Sequence, residues 1–135
     1  MKISKRLKTI SEFINESDKV IDIGCDHALL DIYLKDIYKD ITVIASDVHE
    51  GALKMARKNI EKYDFVGKID LRLGDGLSVV NSEEINTIII AGMGYYNIVK
   101  ILSDKEKLVL YFTLRIQYFR FQSFGYGATS ISEFL

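Results

Sequence analysis

Apolar side chains Ile3, Leu7, Ile10 and Ile14 recur at helical spacing across residues 2–15, with Lys2, Lys5, Arg6 and Lys8 mostly elsewhere on the surface. This pattern predicts an amphipathic N-terminal helix with a basic start. The short β-branched run at 19–23 stops at Gly24 and predicts a buried strand followed by a loop. Helical spacing returns from Ala28 to about Ile37. Residues 41–46, ending in Asp47, form a second strand segment, and His49–Tyr63 again reads as helix, with Leu53, Ala56, Ile60 and Tyr63 on one face. Ile69, Leu71 and Leu73 alternate in a third strand over 68–76, stopped by Gly74-Asp75-Gly76. Residues 85–94 are apolar on both faces, as a central parallel strand should be. A short helix over Asn97–Leu102 and a fifth strand over 107–112 complete the series. Strands alternating with helices predict an α/β fold with a doubly wound parallel sheet, because parallel neighbours need crossover connections.

Beyond Leu110 that pattern stops. Residues 111–135 hold eight of the chain's fifteen aromatics and none of its lysines. One reading is an apolar C-terminal strand and tail. The other, which we favour, is a sequence that is not the ancestral continuation, such as one translated in a shifted frame. Proline is absent from all 135 residues, where roughly six or seven would be usual. The net charge of −1 gives no global electrostatic case for nucleic acid, so any RNA contact needs a local basic patch. Cys25 stands alone, which excludes an internal disulfide and a cysteine zinc cluster, and no metal is expected. No apolar stretch suits a signal peptide or a membrane span, so a soluble, cytoplasmic setting is expected.

Four strand ends carry polar or glycine-rich turns: Asp22 to Ala28, Ser46-Asp47, Gly74-Asp75-Gly76 and Ala91 to Gly94. In open α/β sheets ligands bind beyond such ends. Asp47 lies 23 residues after Gly24, a spacing that suits a carboxylate accepting both hydroxyls of a ribose. That spacing serves dinucleotides and S-adenosylmethionine alike. The first loop discriminates between them. A pyrophosphate wants G-x-G-x-x-G with bare amides at a helix N-terminus, whereas Gly24 lacks its second glycine and is flanked by Asp22 and Asp26. Two carboxylates repel a pyrophosphate and attract the ammonium and sulfonium of S-adenosylmethionine. A small nicotinamide-dependent oxidoreductase is disfavoured on this ground. Asp75 is either a contact for the cofactor's adenine amine or a plain turn residue.

The stretches SKRLKTI, DIGCDHALL, SDVHEGAL, RLGDGLSV and IIIAGMG, in this order, resemble the bacterial family that methylates N1 of adenosine 22 in tRNA. The resemblance covers residues 1 to about 110 and is most specific in G-C-D-H and G-M-G. It implies a Rossmann-like class I methyltransferase domain, incomplete at its C-terminal end, with S-adenosyl-L-methionine as donor and tRNA as acceptor. The family's C-terminal helical RNA-binding domain has no counterpart in the sequence. By position, the resemblance puts Gly24 and Asp26 in the cofactor loop, Asp47 at the ribose, Asp75 and Gly76 at the adenine end, and Ala91 to Gly94, including Gly92, at the mouth towards the target base. The family usually has a proline where Asp31 stands and a glycine where Tyr95 stands.

Methyl transfer to adenine N1 moves positive charge onto a base that must be unpaired or flipped. A carboxylate near the base can stabilise that charge. Asp26 is the candidate catalytic residue, with a helix N-cap as its other reading. Lys2, Lys5, Arg6 and Lys8 either meet RNA phosphates or form a solvated helix face. An alternative for the whole chain is a truncated, catalytically inactive remnant that still binds the donor. An uncovered sheet edge and an aromatic tail would favour self-association.

Overall fold

The computed structural model of the chain describes residues 1–103. The fifth strand expected at 107–112 and the tail over 111–135 lie outside the described residues. The strands are β1 (Lys19–Ile23), β2 (Thr42–Asp47), β3 (Asp70–Leu73) and β4 (Thr87–Ile90), and the helices are α1 (Lys5–Ser11), α2 (Leu29–Ile37), α3 (Glu50–Lys62) and α4 (Tyr95–Leu102). All strand pairings are parallel, in the order β3-β2-β1-β4. This is the parallel α/β arrangement expected from the alternation of strand and helix, and it agrees with the Rossmann-like domain that the resemblance implies.

The alternation within each strand sets the two faces of the sheet. Val20, Val43, Ala45 and Ile89 join one apolar cluster with Ile10 of α1, Ile32 and Leu34 of α2, and Leu53, Ala56 and Ile60 of α3. Ile21, Ile23, Ile44, Ile88 and Ile90 face the other way, against Leu77, Val80, Ile85 and Ile98. Each fully buried aliphatic side chain of this kind contributes about 1.5–3 kcal/mol, so the period-two pattern fixes the register of the sheet. Val20 pairs with Val43 and Thr87, and Asp22 with Ala45 and Ile89.

Several elements are shorter than their apolar patterns. The side chain of Ser4 accepts a hydrogen bond from the Leu7 N–H at 3.3 Å, so α1 starts at Lys5 and leaves Lys2 ahead of it. The chain after Ser11 is pulled into turns, with the Asn15 N–H donating to Asp18 Oδ2 at 2.8 Å. Strand β4 ends at Ile90 because the backbone turns at Gly92, where φ is +81°. Helix α4 begins two residues earlier than its apolar pattern suggests, at Tyr95, with Gly94 as its N-cap.

From β1 the chain runs to β2 and β3 on one side, then crosses to place β4 on the other side of β1. The C-terminal ends of β1 and β4 therefore frame a crevice at the point where strand order reverses.

Candidate functional site

The β1–α2 loop is held by backbone bonds before any side chain contributes. The N–H groups of Gly24 and Cys25 both donate to the Ser46 carbonyl, at 2.8 and 2.9 Å. Gly24 takes φ +77°, and a Cβ there would stand 2.5 Å from the Met93 Cε. Asp26 and Ala28 also adopt positive φ, +52° and +57°. Three left-handed residues in one short loop are uncommon and mark a backbone over-determined by its surroundings. The Asp26 N–H donates to Asp47 Oδ2 at 3.2 Å, and the His49 N–H donates to Asp47 Oδ1 at 3.0 Å. From α3, Asn59 Nδ2 donates to the His27 carbonyl at 2.9 Å.

A cavity of about 670 Å³ opens over these strand ends. The structure brings Asp22, Gly24, Asp26, Asp47, Asp75, Gly76, Ala91 and Gly92 onto its wall together. Of the four basic residues at the N-terminus, Arg6 reaches the cavity, its guanidinium 3.6 Å from where a Cβ on Gly92 would stand. Lys2, Lys5 and Lys8 are exposed and do not line it. Residues that sequence reasoning missed include Val48, Asn97 and Lys100. Their only signal was their position beside a strand end or on the first turns of α4.

Asp22 and Asp26 flank the same glycine but differ in state. Asp26 is exposed, with its carboxylate 3.5 Å from His27 Nε2. Its side chain does not cap α2, whose N-cap is Ala28 in a left-handed conformation. Asp22 is buried at 4% exposure, and its Oδ1 has no hydrogen-bond donor among the described residues. Burial pushes its pKa up to about 7; the neighbouring Asp31 carboxyl counteracts part of that rise, and the charge of Asp47 adds to it. Asp31, wholly buried on α2, is raised well above the carboxylate range by burial first and by Asp22 second. The Cys25 thiol is pushed up by burial and by the three carboxylates of Asp31, Asp22 and Asp47, so it is no nucleophile.

The far wall of the cavity is braced by Arg72 on β3. Its Nη1 donates to the Val79 carbonyl at 2.7 Å, and Nη1 and Nη2 reach the two oxygens of Glu84 at 3.0 and 2.8 Å. Asp70 accepts from the same guanidinium at 2.7 Å. These contacts fix the connection that carries Gly74, Asp75 and Gly76. Among the described residues, no three His, Cys, Asp or Glu side chains gather as a metal ion would need, and no helix is long and apolar enough to cross a membrane.

A family profile described as a methyltransferase domain matches residues 3–117. The chain belongs to the methyltransferase-domain family. The tRNA (adenine(22)-N(1))-methyltransferase of Bacillus subtilis is 38% identical over 117 residues, which is 82% of this chain and 49% of that protein. A Streptococcus pneumoniae structure in complex with S-adenosyl-L-methionine superimposes with a TM-score of 0.73 at 36% identity, covering 84% of this chain and 52% of that one. The Mycoplasma capricolum TrmK structure, in complex with S-adenosyl-homocysteine, gives 0.68 at 33% identity, over 77% and 47%. This methyltransferase domain thus spans about half the length of the relatives it matches. The family match runs seven residues past Leu110, where the composition of the chain changes.

Proposed function

We propose that this chain binds S-adenosyl-L-methionine in the cavity at the ends of β1 and β4, and serves methylation of N1 of adenosine 22 in tRNA. The observation that carries the reading is the acidic, single-glycine loop. Asp22 lies on the cavity wall at the glycine, where its carboxyl would attract a ligand ammonium and repel a pyrophosphate. The other residues fit the same ligand. Asp47 uses one lone pair of each oxygen on backbone N–H groups and keeps the others for a ribose diol. Val48, Gly74 and Ile101 offer an apolar slot for adenine, with Asp75 at its edge for the exocyclic amine. Arg6 suits the ligand's carboxylate and Lys100 adds a second cation to the wall. The likeness to relatives named for tRNA methylation and solved with the donor or its product supports the assignment.

When bound, the donor supplies a methyl group already activated on a sulfonium. The residues then need chiefly to align it with the base. Asp26 stands exposed on the cavity wall beside His27, where a carboxylate would stabilise the positive charge arriving on adenine and accept a hydrogen bond from its amine. Lys2, Lys5 and Lys8, on the segment that carries Arg6 to the cavity, would meet backbone phosphates.

Calorimetry of the full chain with the donor and its demethylated product, then transfer of labelled methyl groups to unmodified tRNA, tests this. Binding of both, with incorporation lost when adenosine 22 is replaced by guanosine, is expected. No heat with either ligand overturns the cofactor assignment. Binding without incorporation supports the inactive, donor-binding alternative.

A further inference from the structure

We propose that Asp31 is a positioning residue that keeps its proton and donates it to Asp22, so that the single charge of this buried pair is presented to the ammonium of the methyl donor. The inference rests on the cofactor reading above and extends it to a residue that does not touch the cavity.

The geometry comes from the sheet. Asp22 occupies the β1 position between Ala45 and Ile89, two residues on the face that α1, α2 and α3 cover. Asp31 lies in the first turn of α2, which packs on that face. Their exposures are 4% and 0%, and Asp22 Oδ1 and both oxygens of Asp31 have no donor among the described residues. Two ionised carboxylates cannot share such a site without a counter-ion, because like charges in a dry interior repel strongly. A proton between them removes one charge and supplies the missing donor in one step. The upward shift of both carboxyls, with Asp31 easing that of Asp22 and Asp22 adding to that of Asp31, agrees with that arrangement.

The choice of which carboxyl keeps the proton follows from what each one faces. Asp22 reaches the cavity wall and Asp31 does not. Arg6 from α1 and Lys100 from α4 are cations on the cavity wall that Asp22 shares and Asp31 does not. The neighbouring groups on the other elements are Asp47 at the end of β2, whose charge disfavours a second one, and the thiol of Cys25, which stays neutral. Asp26, His27, His49 and Asp75 sit at the rim of the cavity, away from α2's buried face. Donor affinity should therefore be high while Asp22 is ionised and fall as pH drops through about 7, where Asp22 takes up a proton.

The test is calorimetric titration of the full chain with S-adenosyl-homocysteine from pH 5.5 to 9, for wild type, Asp31→Asn and Asp31→Leu. The asparagine amide still donates to Asp22, so its pH profile should overlay wild type. Leucine fills the space without donating, and the midpoint for ligand affinity should move up by about one pH unit or more, a roughly tenfold loss at neutral pH that recovers at alkaline pH. A merely structural role for Asp31 would lower affinity equally at every pH, and that result overturns the proposal. So does an Asp31→Asn profile displaced like that of Asp31→Leu. Absence of ligand binding by wild type at every pH sinks the cofactor reading and this proposal together, whereas binding with coincident profiles sinks the proposal alone.

Discussion

Asp26 is anchored to Asp47 through its backbone, the Asp26 N–H donating to the Asp47 carboxylate at 3.2 Å. The same carboxylate takes the His49 N–H at 3.0 Å, so one side chain ties the end of β1 to the start of α3. Asp47 thus supports the loop that it shares with the ligand. Replacing it with alanine should remove the loop anchor and the ribose acceptor together. Hydrogen bonds to a charged group are worth about 1.5–3 kcal/mol, so affinity for S-adenosyl-homocysteine should fall by about ten- to a hundredfold or more. Asp47→Asn, which keeps one acceptor oxygen, should lose less. Calorimetry with circular dichroism as a fold check decides it, and unchanged affinity in Asp47→Ala would remove the ribose role.

A second expectation concerns Gly24, where a positive φ and a close approach coincide. Alanine there meets the left-handed cost of about 1–2 kcal/mol and a Cβ contact of 2.5 Å with the terminal methyl of Met93. Gly24→Ala should lower the denaturation midpoint. Combining it with Met93→Ala should recover the steric part and leave the backbone part. Full recovery in the double variant would show that the φ of Gly24 carries no cost.

The sequence made the sheet legible because its signals are local. The apolar runs at 19–23, 41–46 and 85–94 can be little else, although the last of these ends as strand at Ile90, and the helical spacing of Leu53, Ala56 and Ile60 is confined to one face. The cavity wall was legible for the same reason, since Asp22, Gly24, Asp47, Asp75 and Gly92 sit next to strand ends that topology must bring together. Two features were not legible. Arg6 was grouped with three lysines as a phosphate contact, yet it turns into the cavity, because the side of α1 that it occupies depends on how that helix docks. Asp31 falls within the helical spacing that begins at Ala28, and an aspartate in a helix is ordinarily at the surface. Its complete burial depends on α2 lying directly over Asp22, a tertiary fact with no trace in spacing.

The brace at Arg72 yields a third prediction. Its guanidinium serves Asp70, Glu84 and the Val79 carbonyl at once, and it holds Glu84 down at about 2, through hydrogen bonding first. Glu84 is depressed on folding, so its contribution is present above its usual 4.5 and is lost as pH falls towards 2. Arg72→Met should cost about 1–2 kcal/mol at neutral pH. The gap from wild type should narrow on acidification from about pH 4.5 to 2. Equal gaps at pH 7 and pH 2.5 in urea titrations would count against the pairing. The Gly74–Gly76 turn loses its support in this variant, so donor affinity should also weaken.

The buried carboxyl pair makes a prediction about folding itself, independent of any ligand. Asp22 and Asp31 both hold protons in the folded chain at pH values where the unfolded chain has released them. Their raised values mean that stability is greatest below the usual carboxylate value of 3.8 and declines as pH rises above it, until about 7 for Asp22, with Asp31 shifted in the same direction. Each retained proton contributes a slope of about 1.4 kcal/mol per pH unit in that window. Asparagine at position 31 has no proton to lose in either state, so Asp31→Asn should remove one such slope from the range above the usual carboxylate value. The variant should then be more stable than wild type at pH 8 and close to it at pH 4, because its amide still satisfies Asp22 while the cost of keeping Asp31 protonated is gone. Urea denaturation midpoints across that range measure the difference directly. A constant offset between the two proteins from pH 4 to 8 would mean that Asp31 is ionised in the fold, and that its charge has found a partner other than a proton.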